Sequence, residues 1–244
     1  MNICLRVFVF FTCFSSLVYA VGEPLNIGVT NFTPPFIMHD ADKKSYGFDI
    51  DMMNYICKVM QRTCVYKIMS FDELIPAVAN NSIDVAVSSL TITAERTKMV
   101  NFSLPYLLSY SRFLAKRSNV TTPFSLSLIN GKRIGVRTGT VFGDQIKHLG
   151  IKDAVISEYS QIEELLEALS ADKVDFVLLD SPTTNYWEAN SSSAFMKVGP
   201  AYMYGYGLGI ATTPINLPAI NRALLQYQAS PEYKINFDKY IIEF

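Results

Sequence analysis

Apolar residues in this chain first run together and then begin to alternate with polar ones. The continuous run is Val7 to Leu17, behind a short segment with one basic residue, Arg6, and ahead of Val18-Tyr19-Ala20. That layout is an export signal ending in small residues, predicted to occupy residues 1–20. The run is too short to cross a bilayer, which takes about 20 apolar residues. Beyond it, Leu25–Thr30 reads as an apolar strand and Phe48–Met60 has helical spacing. Cys64–Met69 reads as a strand, Leu74–Ala79 as a helix with Pro76 in its first turn, and Ile83–Ser88 as a strand. Strands alternating with helices predict an α/β protein with largely parallel sheets and a site at the carboxyl ends of the strands.

The pattern also repeats. Asp72-Glu73-Leu74-Ile75-Pro76-Ala77-Val78, followed by Ile83-Asp84-Val85-Ala86-Val87, is echoed 91 residues later. The later copy is Glu163-Glu164-Leu165-Leu166-Glu167-Ala168-Leu169, followed by Val174-Asp175-Phe176-Val177-Leu178. A second echo, at a different spacing, pairs Ile27-Gly28-Val29-Thr30 with Ile134-Gly135-Val136-Arg137. Two similar lobes facing each other would gather the strand ends at Thr30, Ser88-Ser89, Arg137 and Asp180 around one cleft.

Composition narrows the occupants of that cleft. The net charge of −1 gives no electrostatic footprint for nucleic acid or an anionic membrane. Half the residues are hydrophobic, which excludes global disorder. Cys4 and Cys13 leave with the signal, so Cys57 and Cys64 remain as a pair in an oxidising compartment, where a disulfide is expected. Seven residues on a continuous helix would hold their Cα atoms about 10.5 Å apart, beyond the roughly 7 Å limit for a bridge. The helix is therefore predicted to end near Arg62-Thr63, with Cys64 opening the next strand. His39 and His148 show no ligand spacing with this pair, so neither a metal nor a cofactor is expected.

The charged candidates lie at strand ends. Ser88-Ser89-Leu90-Thr91-Ile92-Thr93-Ala94-Glu95-Arg96 offers small hydroxylated residues, with Thr93 placed to cap a turn that carries Arg96. A guanidinium there is a planar fork suited to a carboxylate. In the other lobe, Asp180 ends an apolar strand and can receive an ammonium. A cation and an anion across a cleft are what a zwitterion requires.

At Pro34-Pro35-Phe36, Gly47-Phe48-Asp49-Ile50-Asp51, Phe71 to Ala77, Ser88 to Arg96, Asn101 to Tyr106, Gly131 to Val136 and Gly205 to Ile210, the chain resembles a known family. This is the periplasmic solute-binding proteins for polar amino acids (solute-binding protein family 3). It includes lysine/arginine/ornithine-, histidine-, arginine- and glutamine-binding proteins. The resemblance implies the type II periplasmic-binding-protein fold, two mostly parallel α/β lobes joined by two crossing strands. Residues 22–110 and 205–244 would form lobe one and 111–204 lobe two, turning on Ser109–Phe113 and Tyr202–Tyr206.

It further implies a non-enzymatic, monomeric, periplasmic protein that closes on a free L-amino acid and delivers it to the permease subunits of an ABC importer. By position, Arg96 would hold the ligand α-carboxylate with the Thr91 and Thr140 backbone, and Asp180 the α-ammonium with Ser89 and the Thr91 hydroxyl. Phe71 would pack on the ligand side chain, and Gly139 would allow close backbone approach. Thr30, Ser88 and Arg137 would line the remainder, and Cys57–Cys64 matches a disulfide of the basic-amino-acid members. Asp49 and Asp51 are read as charging a helix start.

The sequence departs from that family at the ligand side chain. Thr30 stands where basic-ligand members usually carry an acid, and Thr33 where they carry an aromatic, which Phe32 could supply by a shift of one. Arg137 would repel a cationic side chain unless it turns away or pairs with Asp144 or Glu158. Arginine or another basic or polar amino acid is the expected ligand. Glutamine or glutamate, or a dehydratase acting on cyclic prephenate-like acids, are the alternatives.

Overall fold

The computed structural model describes residues 22–120 and 122–242, so the predicted export signal at 1–20 lies outside the described residues. In chain order, the first part comprises β1 (Gly22–Val29), β2 (Met38–His39), β3 (Ser45–Tyr46), α1 (Phe48–Val59), β4 (Arg62–Ile68), α2 (Phe71–Ala79), β5 (Val85–Ala86) and β6 (Asn101–Phe102). Next come β7 (Tyr110–Lys116), β8 (Arg133–Arg137), α3 (Phe142–His148), β9 (Val155–Tyr159), α4 (Ile162–Ser170), β10 (Phe176–Asp180), α5 (Ser181–Asn190) and β11 (Phe195–Met203). The chain then returns through β12 (Ala211–Thr212), α6 (Leu217–Gln228) and α7 (Pro231–Phe237).

Two five-stranded sheets result, ordered β4-β1-β5-β12-β6 and β11-β7-β10-β8-β9. In each, one central strand runs parallel to both neighbours: β1 between β4 and β5, and β8 between β9 and β10. Both sheets are mixed rather than mostly parallel. β12 is antiparallel to β5 and β6, and β7 is antiparallel to β10 and β11. These antiparallel strands are entered from, or lead to, the other sheet, so no crossover helix has to turn them parallel.

The echo is structural. α2 begins at Phe71 and α4 at Ile162, each connecting an outer parallel strand to the next. Both are opened by the same device. The Glu73 carboxylate accepts the Ser70 backbone N–H at 3.0 Å, and the Glu164 carboxylate accepts that of Gln161 at 3.3 Å. This capping starts α2 three residues earlier than the apolar pattern predicts, which leaves Pro76 past the first turn. Pro76 sits on the exposed side of α2, as does Asp72, whose carbonyl it cannot bond. The strand predicted over Ile83–Ser88 pairs only at Val85–Ala86.

Cys57 and Cys64 are disulfide-bonded with Cα atoms 5.8 Å apart. α1 ends at Val59, earlier than predicted. Gln61 turns the chain with φ of 55°, and β4 begins at Arg62, so Cys64 is its third residue rather than its first.

Each sheet has its own core. Leu25, Ile27, Phe48, Met52, Met53, Ile56 and Leu224 belong to the first, and Phe113, Ile134, Val136, Leu178 and Val198 to the second. The two passages between sheets lie side by side, with Leu208 bridged to Leu107 and Thr91, and Tyr204 N–H bonded to Ser109 O at 3.2 Å. Tyr110–Phe113 and Tyr202–Met203, predicted to be turning segments, are already paired within the second sheet. Ser109 and Tyr204–Tyr206 remain outside it.

Candidate ligand-binding cleft

Four strand ends meet between the lobes. Thr30 follows β1, Ser88-Ser89 follow β5, Arg137 ends β8 and Asp180 ends β10. Ser89 and Asp180, separated by the echo's 91 residues, touch directly: the Ser89 hydroxyl donates to the Asp180 carboxylate at 2.9 Å. Ser89 has a left-handed backbone, φ 46°, and its N–H donates to Asp49 Oδ2 at 2.8 Å. Asp49 lies in the first turn of α1, as expected of a helix-start charge. Its fully buried carboxylate also fixes the residue that reaches across to Asp180.

A chain of hydroxyls crosses the cleft beside them. Thr33 Oγ1 donates to Phe32 O at 2.8 Å, so with its single proton placed there it accepts from Thr30 at 2.8 Å and from Arg137 Nη1 at 2.8 Å. Thr30 then accepts from Ser88 at 2.7 Å. Arg137 therefore faces the cleft and is 3% exposed. It forms no ion pair with Asp144, which holds Lys147, or with Glu158.

Arg96 sits on the turn predicted for it, its N–H bonded to Thr93 Oγ1 at 3.2 Å. The guanidinium donates to Thr91 O at 2.7 Å and, across the cleft, to Gly139 O at 2.9 Å. Arg96 and Arg137 both lie over the Phe71 ring, 5.6 and 5.2 Å from its centroid. The Thr91 hydroxyl is bonded to Ser109, and both the N–H and the hydroxyl of Thr140 are directed at Arg137 O. Gly139 has φ of 77°, and a Cβ there would come 2.7 Å from Asp72 Cα. The close approach it permits is thus between the lobes.

Burial sets the electrostatics. Asp180 is pushed up to about 7 because it is removed from water, against the lowering pull of Ser89, Arg96 and Arg137. Asp49 is pushed up to about 7 for the same reason. Desolvation lowers both Arg96 and Arg137 to about 10.

The enclosed space is about 20 Å³, room for about one water. Phe71, Ser89, Arg137, Thr140 and Asp180 line it, while Thr30, Ser88, Thr91, Arg96 and Gly139 stand behind or beside them. Sequence reasoning missed Thr183, Phe142, Ile162 and Leu179 in the lining. Phe32, the proposed substitute for an aromatic at 33, instead meets Trp187 edge-on at 6.2 Å. Asp180 also borders a larger cavity of about 610 Å³ walled by Leu107, Pro182, Tyr233 and Phe237. That space has no cation, so it does not complement a zwitterion as the smaller site does. Neither histidine lines either space, and the described residues contain no group of three or more His, Cys, Asp or Glu able to hold a metal.

Two α/β lobes with sheets ending on a shared cleft define a type II periplasmic-binding-protein fold. The chain belongs to the bacterial extracellular solute-binding proteins, family 3, whose model matches residues 25–243. It is 32% identical to the ABC transporter arginine-binding protein 1 of Escherichia coli over 88% of this chain and 89% of that protein. It is 30% identical to the L-arginine-binding protein of Pseudomonas aeruginosa, over 91% and 89%. A crystal structure of an arginine third transport system periplasmic binding protein from Legionella pneumophila superposes with a TM-score of 0.83. That structure is 32% identical, over 90% of this chain and all of the other.

Proposed function

We propose that this protein captures a free polar L-amino acid by hinge closure and presents it, as an exported periplasmic monomer, to the permease subunits of an ABC importer. The relatives named above are binding proteins, which favours capture and delivery over dehydration. The single observation that carries the reading is the convergence of Arg96 and Asp180 from opposite lobes. Arg96 takes the α-carboxylate, replacing one of its two carbonyl partners, and Asp180 takes the α-ammonium beside Ser89. The lobes are 22–110 with 205–244, and 111–204. A space of about 20 Å³ is far below the volume of an amino acid, so entry requires the lobes to part. The relatives' names favour a polar amino acid and make arginine the reference compound. Mass spectrometry of ligand released from the denatured protein, followed by calorimetry against the twenty amino acids, tests the reading. A released, unaltered amino acid is expected; turnover to an altered product would refute it.

A further inference from the structure

The cleft holds one more buried cation than the two ends of an amino acid can use. Arg137 Nη1 donates to Thr33, its Nε reaches Ser160 O only at 3.5 Å, and its buried Nη2 has no hydrogen-bond partner among the described residues. The Thr183 hydroxyl, lining the same space from α5, is also buried and without a partner among them. Among the described residues no carboxylate lies within ion-pair distance of Arg137. The acids acting on it from neighbouring elements are the exposed Glu163 on α4, Asp180 on β10 and the exposed Asp72 on α2. Of these only Asp180 is buried.

Charge then decides between side chains. With the α-carboxylate on Arg96 and the ammonium on Asp180, the guanidinium of Arg137 is left uncompensated, and a buried charge without a partner is strongly unfavourable. A second cation in the side chain would add like-charge repulsion. An amide would accept a hydrogen bond but leave the charge. A carboxylate would satisfy the free Nη2 donor, accept from Thr183 and neutralise Arg137. We propose that the ligand side chain ends in a carboxylate held by Arg137 and Thr183, so that the amino acid captured is glutamate or aspartate. This rests on the assignment of Arg96 and Asp180 to the α groups.

Calorimetry of the chain without its export signal, against L-glutamate, L-aspartate, L-glutamine and L-arginine, tests it. An acidic amino acid is expected to bind at least about tenfold tighter than glutamine or arginine, roughly the step that 1.4 kcal/mol gives. Arg137→Gln should remove most of that preference, and Arg137→Glu should place arginine above glutamate. Thermal melts of both variants check folding, and Arg137→Gln carries the comparison if Arg137→Glu does not fold. Arginine or glutamine binding the unsubstituted protein as tightly as the acidic pair overturns the proposal, whatever the variants do. An acidic preference unmoved by Arg137→Gln removes Arg137 from it. If arginine binds tightest and Arg96→Ala abolishes that binding, only the side-chain inference fails. If Arg96→Ala leaves binding unchanged, the α-group assignment fails as well.

Discussion

Arg96 donates to one carbonyl in its own lobe and one in the other, so its guanidinium is oriented before any ligand arrives. Truncating one partner of a buried charge pair costs roughly 2–5 kcal/mol. Arg96→Ala should therefore weaken amino-acid binding by about 30- to several-thousand-fold; calorimetry showing affinity within threefold of the unsubstituted protein would contradict its role. Asp180 adds a dependence on pH. Its acidity in the closed, ligand-free cleft is displaced from an ordinary 3.8 to about 7, chiefly by burial. Between those values the closed form binds more protons than an open or unfolded one, so its stability falls as pH rises through that window and grows as pH falls. Fluorescence transfer between dyes on the two lobes should report more closure at pH 5 than at pH 8 without ligand. Asp180→Asn should flatten that trend.

Among the elements, α1 and β4 are tied by Cys57–Cys64 on the first lobe, and neither cysteine lines the cleft. Closing so short a loop restricts the unfolded chain and stabilises by about 2–3 kcal/mol on the chain-entropy model. At about 2–4 °C per kcal/mol for a chain of this size, Cys57→Ser/Cys64→Ser should melt about 5–10 °C lower. Its ligand affinity should match that of the oxidised protein by calorimetry. A matched loss of affinity would mean that the bridge shapes the cleft. α2 and α4 show how a repeated sequence becomes a site: the same glutamate cap starts both helices, and the strands that follow deliver Ser89 and Asp180 to each other.

For the whole molecule, the proposed closure is a population shift. Moving from 1:99 to 99:1 closed requires about 5.5 kcal/mol of differential binding, and a micromolar ligand supplies about 8 kcal/mol in total. Near-complete closure is therefore available when most contacts form only as the lobes meet. Ligand-free protein at pH 8, where Asp180 resists burial, should be predominantly open, and saturating ligand should shrink the radius of gyration in small-angle scattering. A profile unchanged by ligand, and already matching the closed structure, would show that the lobes meet unaided.

Much of this was legible in the chain because it is local or periodic. The 91-residue echo made α2 the counterpart of α4 and Ser89 the counterpart of Asp180, the apolar runs located the strands whose ends form the cleft, and the cysteine spacing required α1 to stop. Hydrophobic period reports which face of an element is buried, and caps report where it starts. Neither reports what an element meets across a gap. The direction of Arg137 was open among the ligand, Asp144 and Glu158, and docking of the lobes turned it onto Thr33. Asp49 read as a helix-start charge until the fold set Ser89 on its carboxylate, and the tight approach of Gly139 found its partner in Asp72. Thr183 carried no signal, since one hydroxyl in a helix is indistinguishable from a surface residue until another lobe covers it. These contacts join residues far apart in sequence. Their geometry depends on how two separately packed cores come together, which no single segment encodes.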